Sequence, residues 1–177
     1  MNLPNYITLF RVVLIPFFIN LMIYGYYRES LAVFVLAGVT DALDGMIARL
    51  TKSQTELGAF LDPIADKLLI ISAFVTLVLL DKLPVWLSII VVSRDVIIVL
   101  GSILLYVTGH NLKVRPSIVG KTTTVLQLMV VTLILVLINY HPQGLEHGFM
   151  SVLLWTTAVV TIASGVQYVL RGMKMAG

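Results

Sequence analysis

The chain between residues 57 and 80 reads LGAFLDPIADKLLIISAFVTLVLL, which is apolar almost throughout and yet contains aspartate and lysine. A run of this length is close to the roughly 20 residues that an α-helix needs to cross a bilayer. Further apolar runs of similar length lie on both sides of it, separated by short polar connections. The sequence therefore predicts six helices, over residues 3–24, 31–50, 57–80, 84–107, 117–139 and 148–170.

The composition is that of a membrane protein. Hydrophobic residues make up 59% of the 177 residues and charged residues only 12%, whereas about a quarter of a soluble domain is charged. The connections leave no room for a second domain, so we expect a single domain over residues 1–177. The predicted fold is all-α, an integral membrane bundle of six transmembrane helices. The absence of cysteine excludes thiolate metal sites.

The distribution of basic residues predicts the orientation, because cytoplasmic loops of membrane proteins are enriched in lysine and arginine. An even number of helices puts both termini on the same side as the second–third and fourth–fifth connections. Only Arg28 and Lys82 fall on the opposite side. We therefore expect both termini in the cytoplasm, a location in the cytoplasmic (inner) membrane and an active site that faces the cytoplasm. The net charge of +3 suits anionic lipid headgroups, and we expect no nucleic-acid partner.

Four aspartates lie within predicted transmembrane helices, where a charged side chain is energetically unfavourable. Asp41 and Asp44 lie in the second predicted helix, and Asp62 and Asp66 lie in the third. A charged side chain at the centre of a membrane helix costs roughly 2.5–3.5 kcal/mol on insertion scales. The spacings i, i+3 and i, i+4 put each pair on one helix face. Hard divalent cations prefer such oxygen ligands, so we expect one or two Mg²⁺ or Mn²⁺ ions bound by these four aspartates.

Two other interpretations of the aspartates remain open at this point. They can form structural ion pairs with Arg49 and Lys67 that serve assembly alone. They can also line the path of a divalent-cation channel or transporter, since intramembrane acids are found in ion pathways. The second interpretation requires a polar path to the other side, and the acids crowd one end of the predicted bundle.

The same segment carries a recognisable motif. Residues 41–49 read DALDGMIAR, and after eight residues the chain continues at residues 58–66 with GAFLDPIAD. The pattern D-x-x-D-G-x-x-A-R followed by G-x-x-x-D-x-x-x-D resembles the signature of the CDP-alcohol phosphotransferase family. The resemblance implies a six-helix membrane enzyme, usually a homodimer, that transfers a phosphatidyl group from CDP-diacylglycerol to an alcohol and releases CMP.

The resemblance also implies roles for individual residues. It implies that Asp41, Asp44 and Asp62 bind the metal, and that Asp66 binds at or near it and acts as the general base. It further implies that a second group contacts the CDP moiety: Gly45, Ala48, Arg49 and Gly58. In the first helix, Asn5, Thr8 and Arg11 share one stripe. We assign Asn5 and Thr8 to CDP-lipid binding, while Arg11 can bind ligand or extend to the headgroups.

Four segments resemble the branch of this family that uses glycerol 3-phosphate. They are PNYITLFR at residues 4–11, DKL at residues 66–68, SRD at residues 93–95 and SIVGKTTTVLQ at residues 117–127. The resemblance implies that the acceptor is glycerol 3-phosphate and that the lipid product is phosphatidylglycerophosphate. A phosphorylated acceptor requires basic and hydroxyl groups, for which we expect Arg94, Lys113, Arg115, Ser117 and Lys121.

Three points leave the identity of the acceptor open at this stage. Arg94 can instead form a structural pair with Asp95. A basic residue expected in this branch near Thr123 is replaced by threonine. The nearest alternatives within the family are a cardiolipin synthase, whose acceptor is phosphatidylglycerol, and a transferase that uses inositol phosphate.

Overall fold

The computed structural model describes most of the chain as helix. The backbone is described over residues 3–51, 56–107, 118–140 and 148–176, and the side chains over residues 10–40, 67–101, 119–140 and 148–171. The prediction of an all-α fold with six helices is confirmed for these residues, which contain no strand. The helices are α1 (Leu3–Ile23), α2 (Tyr27–Thr51), α3 (Glu56–Leu79), α4 (Val85–Val107), α5 (Ile118–Tyr140) and α6 (Gly148–Ala176).

The helices begin and end close to the predicted boundaries, with two exceptions. Helix α2 begins at Tyr27 rather than residue 31, and α6 continues to Ala176 rather than ending at residue 170. The predicted boundaries followed the apolar runs, but backbone hydrogen bonding continues through flanking charged residues. Glu29 lies in the first turn of α2, where a negative charge interacts favourably with the helix dipole.

Helix α1 ends in a Schellman motif. Gly25 has a φ of 79°, a left-handed conformation that glycine adopts without steric cost. The amide of Tyr26 donates to the carbonyl of Leu21 at 2.9 Å, and the amide of Gly25 donates to the carbonyl of Met22 at 3.2 Å. These bonds satisfy carbonyls at the helix end and allow α2 to start almost immediately.

Helix α3 ends in the same way with an aspartate in place of glycine. Asp81 has a φ of 56°, which is tolerated by short polar side chains but uncommon for residues other than glycine. The amide of Lys82 donates to the carbonyl of Leu77 at 2.8 Å, and the amide of Asp81 donates to that of Val78 at 3.0 Å. Pro84 then lies directly before α4.

The structure divides into two compact units. The first comprises Met1–Lys82 and Val131–Leu145. Within it α1 packs against both α2 and α3, and the rings of Phe18 and Phe34 meet at a centroid distance of 5.6 Å. Asn139 near the end of α5 donates through Nδ2 to the carbonyl of Tyr27 at 3.0 Å, which links the last turn of α5 to the start of α2.

The second unit comprises Leu83–Val130 and Glu146–Gly177. Helices α4 and α6 pack against each other in parallel, because two hydrogen bonds between them join residues that are 70 apart in sequence. The ring of Trp86, in the first turn of α4, stacks on that of Trp155, about two turns into α6, at a centroid distance of 4.8 Å and an interplanar angle of 26°. Farther along, the hydroxyl of Tyr168 donates to the carbonyl of Ile98 at 3.2 Å.

Two stretches among the described residues are long and apolar enough to cross a membrane. They are Val119–Tyr140 in α5 and Gly148–Arg171 in α6. Shorter apolar helical stretches cover Phe10–Ile23 in α1 and Lys67–Leu79 in α3.

Candidate active site

The four aspartates occupy helical positions on either side of the connection between α2 and α3. Asp41 and Asp44 lie in the last three turns of α2, which ends at Thr51. Asp62 and Asp66 lie in the first three turns of α3, which begins at Glu56. At a rise of 1.5 Å per residue, all four lie within roughly 15 Å of the end of their helix that is nearer the connection. The helical spacing on which the prediction depended is therefore present in the backbone.

The chemistry of the predicted donor set fits a hard divalent cation, because every predicted ligand is a carboxylate. The side chains of the four aspartates lie outside those that the structure describes, and so do those of the predicted CDP contacts. The described side chains alone contain no cluster of three or more potential metal ligands. The predicted residues whose side chains lie outside the described set are Asn5, Thr8, Asp41, Asp44, Gly45, Ala48, Arg49, Gly58, Asp62 and Asp66.

Arg11 is the described charged residue nearest along the chain to the predicted CDP contacts Asn5 and Thr8. It lies in α1, which packs against both aspartate-bearing helices. Its side chain is only 1% exposed, so it does not extend to the surface. The interpretation of Arg11 as a headgroup anchor is therefore wrong. Sequence reasoning placed it on the right stripe but had no signal for its burial.

Arg94 forms a buried ion pair. Its Nη1 lies 2.6 Å from Oδ1 of Asp95, and the two side chains are 7% and 0% exposed. Its Nη2 donates to the hydroxyl of Ser164 on α6 at 2.7 Å. The positive charge that was predicted to bind the acceptor phosphate is thus already neutralised inside the second unit, as the alternative of a structural pair predicted.

Lys121 has a different environment from Arg94. It lies in the first turn of α5 and is exposed, so its ammonium group is accessible from outside this unit. The structure thus separates the predicted acceptor residues into an accessible lysine and an internal arginine. The other three, Lys113, Arg115 and Ser117, lie outside the described residues.

Thr123 explains why the expected basic residue is missing. Its side chain is fully buried, and its hydroxyl donates to the carbonyl of Val119 at 2.8 Å and to that of Val160 on α6 at 3.4 Å. A lysine or arginine at this position would bring a charge between α5 and α6 without a partner, which is costly. The threonine satisfies its hydroxyl locally and lets the two helices approach.

Sequence reasoning missed a polar stripe on α6. Thr157, Thr161 and Ser164 follow each other at i, i+4 and i+7, and all are buried. Gln127 of α5 is also completely buried, and within the described part of the chain neither its amide oxygen nor its amide nitrogen has a hydrogen-bond partner. The spacing of the hydroxyl residues in α6, which puts them on one face of the helix, is the sequence feature that could have predicted this stripe. The interior of the second unit therefore contains buried polar side chains among its apolar ones.

Comparison with known proteins identifies the family. The family described as CDP-alcohol phosphatidyltransferase matches residues 1–163. The chain belongs to this family. It is therefore a transferase of phospholipid biosynthesis, and the predicted resemblance is confirmed. Enzymes of this family generally depend on a divalent metal ion.

Individual relatives cover nearly the whole length of this transferase. It is 35% identical to the CDP-diacylglycerol–glycerol-3-phosphate 3-phosphatidyltransferase of Bacillus subtilis, over 94% of this chain and 93% of the relative. It is 36% identical to the enzyme of the same name from Haemophilus influenzae, over 94% and 91%. It is 33% identical to the cardiolipin synthase (CMP-forming) of Homo sapiens, over 98% of this chain but 62% of the relative.

Proposed function

We propose that this enzyme transfers the phosphatidyl group of CDP-diacylglycerol to glycerol 3-phosphate, with phosphatidylglycerophosphate and CMP as products. The observation that carries the proposal is the near-complete coverage in both directions of two relatives that bear this activity in their names. The cardiolipin synthase relative fits less well, because more than a third of its length has no counterpart in this chain. An ion-path function has no support once the chain belongs to a family of transferases.

The proposed reaction is a displacement at phosphorus. An oxygen of the acceptor hydroxyl forms a bond to the lipid-side phosphorus of CDP-diacylglycerol, and the bond from that phosphorus to the CMP oxygen breaks. The carboxylate of Asp66 takes the proton of the acceptor hydroxyl, which is general base catalysis. CMP leaves with the electron pair of the broken bond, so atoms and charges balance without any oxidant or reductant.

Asp41, Asp44, Asp62 and Asp66 are the residues that we propose to hold one or two Mg²⁺ or Mn²⁺ ions. When bound, the metal neutralises charge on the diphosphate and polarises it for attack. The helical spacing of the four positions in α2 and α3 supports this assignment. The proposed contacts of the CDP moiety are Asn5, Thr8, Gly45, Ala48, Arg49 and Gly58.

For the acceptor phosphate we propose a group that includes Lys121, because it is basic and accessible in the first turn of α5. Arg94 has its charge balanced by Asp95, so within this group we propose that it orders the packing of α4 and α6. The remaining members of the proposed group are Lys113, Arg115 and Ser117.

We propose that all six helices span the cytoplasmic membrane, with both termini and the aspartates on the cytoplasmic side. The distribution of side chains supports this. Large apolar side chains are exposed, among them Phe17 at 60%, Leu79 at 74% and Phe149 at 70%, while Asp95 and Gln127 are completely buried. Exposed apolar side chains, together with buried charged and amide side chains, suit lipid as the surrounding medium. We further propose a homodimer, as the family resemblance implies.

The test is release of CMP by purified protein in detergent with CDP-diacylglycerol and Mg²⁺ or Mn²⁺. Glycerol 3-phosphate, inositol phosphate and phosphatidylglycerol are supplied separately as acceptors. We expect metal-dependent release with glycerol 3-phosphate alone. Release only with phosphatidylglycerol would move the protein to the cardiolipin synthases, and release only with inositol phosphate would overturn the acceptor in the same way.

A further inference from the structure

Helices α1 and α2 pack through two buried stripes that run in opposite directions. On α1 the buried residues are Arg11, Ile15, Phe18 and Met22, with spacings of four, three and four. On α2 they are Ser30, Phe34 and Ala37, with spacings of four and three. The next position of the α2 stripe, four residues further, is residue 41.

The aromatic contact sets the register between the two stripes. The rings of Phe18 and Phe34 meet at 5.6 Å, and α1 and α2 are antiparallel because the turn between them comprises only residues 24–26. Seven residues before Phe18 is Arg11, and seven residues after Phe34 is Asp41. Residues seven apart lie on the same face of a helix, about 10.5 Å apart along its axis. Position 41 is therefore at the level of Arg11.

The same register accounts for the other members of the stripes. It places Met22 opposite Ser30 and Ile15 opposite Ala37, so that in each pair a large buried residue of α1 lies opposite a small buried residue of α2. The Arg11 side chain is 1% exposed, and a buried guanidinium is stable only where negative charge or hydrogen-bond acceptors surround it. On the α2 stripe the register offers it an aspartate.

We propose that Arg11 is a positioning residue that pairs with Asp41 and orients its carboxylate for the metal. The guanidinium donates to the carboxylate oxygen that the metal does not use, and its charge offsets repulsion among the aspartates. Loss of such a partner typically weakens metal binding 10- to 100-fold. The pairing follows from the packing of α1 on α2, while its meaning for catalysis rests on the proposed function.

The pairing is tested by thermal unfolding of the full-length protein in detergent with EDTA and without substrate. The cycle comprises wild type, Arg11→Gln, Asp41→Asn and the double variant. We expect each single variant to unfold at a lower temperature, because each leaves the other residue of the proposed pair without its opposite charge. If the two residues pair, the unfolding temperature of the double variant should lie about 3 °C or more above the value obtained by adding the decreases of the two single variants.

A second cycle with Asp44→Asn in place of Asp41→Asn is the matched control, and there the changes in unfolding temperature of the two single variants should add up to that of the double variant. Additive changes in the Asp41 cycle as well, or an equal departure from additivity in both cycles, would overturn the pairing. If a single variant yields no monodisperse protein, the yield of the double variant becomes the readout. Recovery of monodisperse protein supports the pairing, and a yield no better than that of the worse single variant contradicts it.

The positioning role is tested by titrating Mn²⁺ and following the rise in unfolding temperature, a readout that does not depend on turnover. Arg11→Gln should raise the Mn²⁺ concentration for half of the effect about tenfold, and Arg11→Lys should recover part of this loss. If Arg11→Gln needs the same Mn²⁺ concentration as wild type for half of the effect, Arg11 has only a structural role. If no acceptor supports CMP release, the proposed function fails, whereas both unfolding experiments still decide the role of Arg11.

Discussion

Arg94 and Asp95, neighbours in sequence, form an ion pair inside the second unit, with Nη1 and Oδ1 2.6 Å apart and side chains 7% and 0% exposed. The pair also reaches α6, because Nη2 of Arg94 donates to Ser164 at 2.7 Å. Gly165 lies beside the pair, where an added Cβ would be 3.4 Å from Cγ of Arg94, an ordinary van der Waals contact. A buried charge therefore holds α4 and α6 together here.

Removing one partner of this pair should destabilise the protein strongly. Arg94→Met leaves the buried carboxylate of Asp95 without its cation, and breaking a buried pair in this way costs about 3–5 kcal/mol. We expect a lower unfolding temperature in detergent for this variant and partial recovery in Arg94→Met/Asp95→Asn. Arg28→Met changes an exposed arginine and serves as the control with little effect. An unfolding temperature of Arg94→Met equal to that of wild type would contradict a structural role for the pair.

Asp66→Asn should lower turnover by a factor of about 10²–10⁴, because the amide cannot accept the proton of the acceptor hydroxyl. Fold and binding of CDP-diacylglycerol should be largely retained. The measurement is the initial rate of CMP release, together with unfolding temperature and binding of the CDP-lipid. Glu29→Gln, an exposed acid in the first turn of α2, should keep the rate of wild type. A wild-type rate in Asp66→Asn would remove its role as the base.

Lys121→Ala should raise the KM for glycerol 3-phosphate about tenfold, which corresponds to the loss of one charge-assisted contact of about 1.4 kcal/mol. The KM for CDP-diacylglycerol should change little, because we propose a different set of residues for binding the donor. Steady-state CMP release with each substrate varied in turn measures both constants. Lys82→Ala, in the turn between α3 and α4, should leave both unchanged. Equal changes in both KM values would contradict the assignment of Lys121 to the acceptor.

Two helical glycines should respond in opposite ways to alanine. At Gly38 an added Cβ meets nothing within 4 Å, so Gly38→Ala should stabilise α2 by about 0.5–1 kcal/mol. At Gly101 the Cβ would lie 3.1 Å from Cε1 of Tyr168, whose hydroxyl is held by the carbonyl of Ile98. Gly101→Ala should therefore lower the unfolding temperature. A gain in Gly101→Ala equal to that in Gly38→Ala would show that the Tyr168 ring moves aside freely.

Much of the fold was predictable because helix formation here depends on local features. Apolar runs of membrane length predicted six helices close to the observed boundaries, and the predicted ends of α1 and α3 at residues 24 and 80 each lie one residue from the observed end. The start of α2 was predicted at residue 31 instead of Tyr27, because the helical backbone extends beyond the apolar run into polar residues.

The candidate site was predictable only in part. The spacing of Asp41, Asp44, Asp62 and Asp66 along the chain gave the family and the class of reaction, because the motif is local in sequence. The sequence left open whether Arg94 binds the acceptor or pairs with Asp95, and it did not distinguish Arg94 from Lys121, since both are basic residues near polar neighbours in the sequence. Only the packing of α4 against α6 separates the buried arginine from the accessible lysine.

By itself, the sequence determined the helical class, the number of helices and the chemistry, since apolar periodicity and motif spacing are properties of short segments. The tertiary structure decided which charges are internal. The burial of Arg11 and Thr123 depends on contacts between residues far apart in the chain, such as Phe18 with Phe34 and Thr123 with Val160. Such contacts arise from the register between packed helices, which a single helix does not encode.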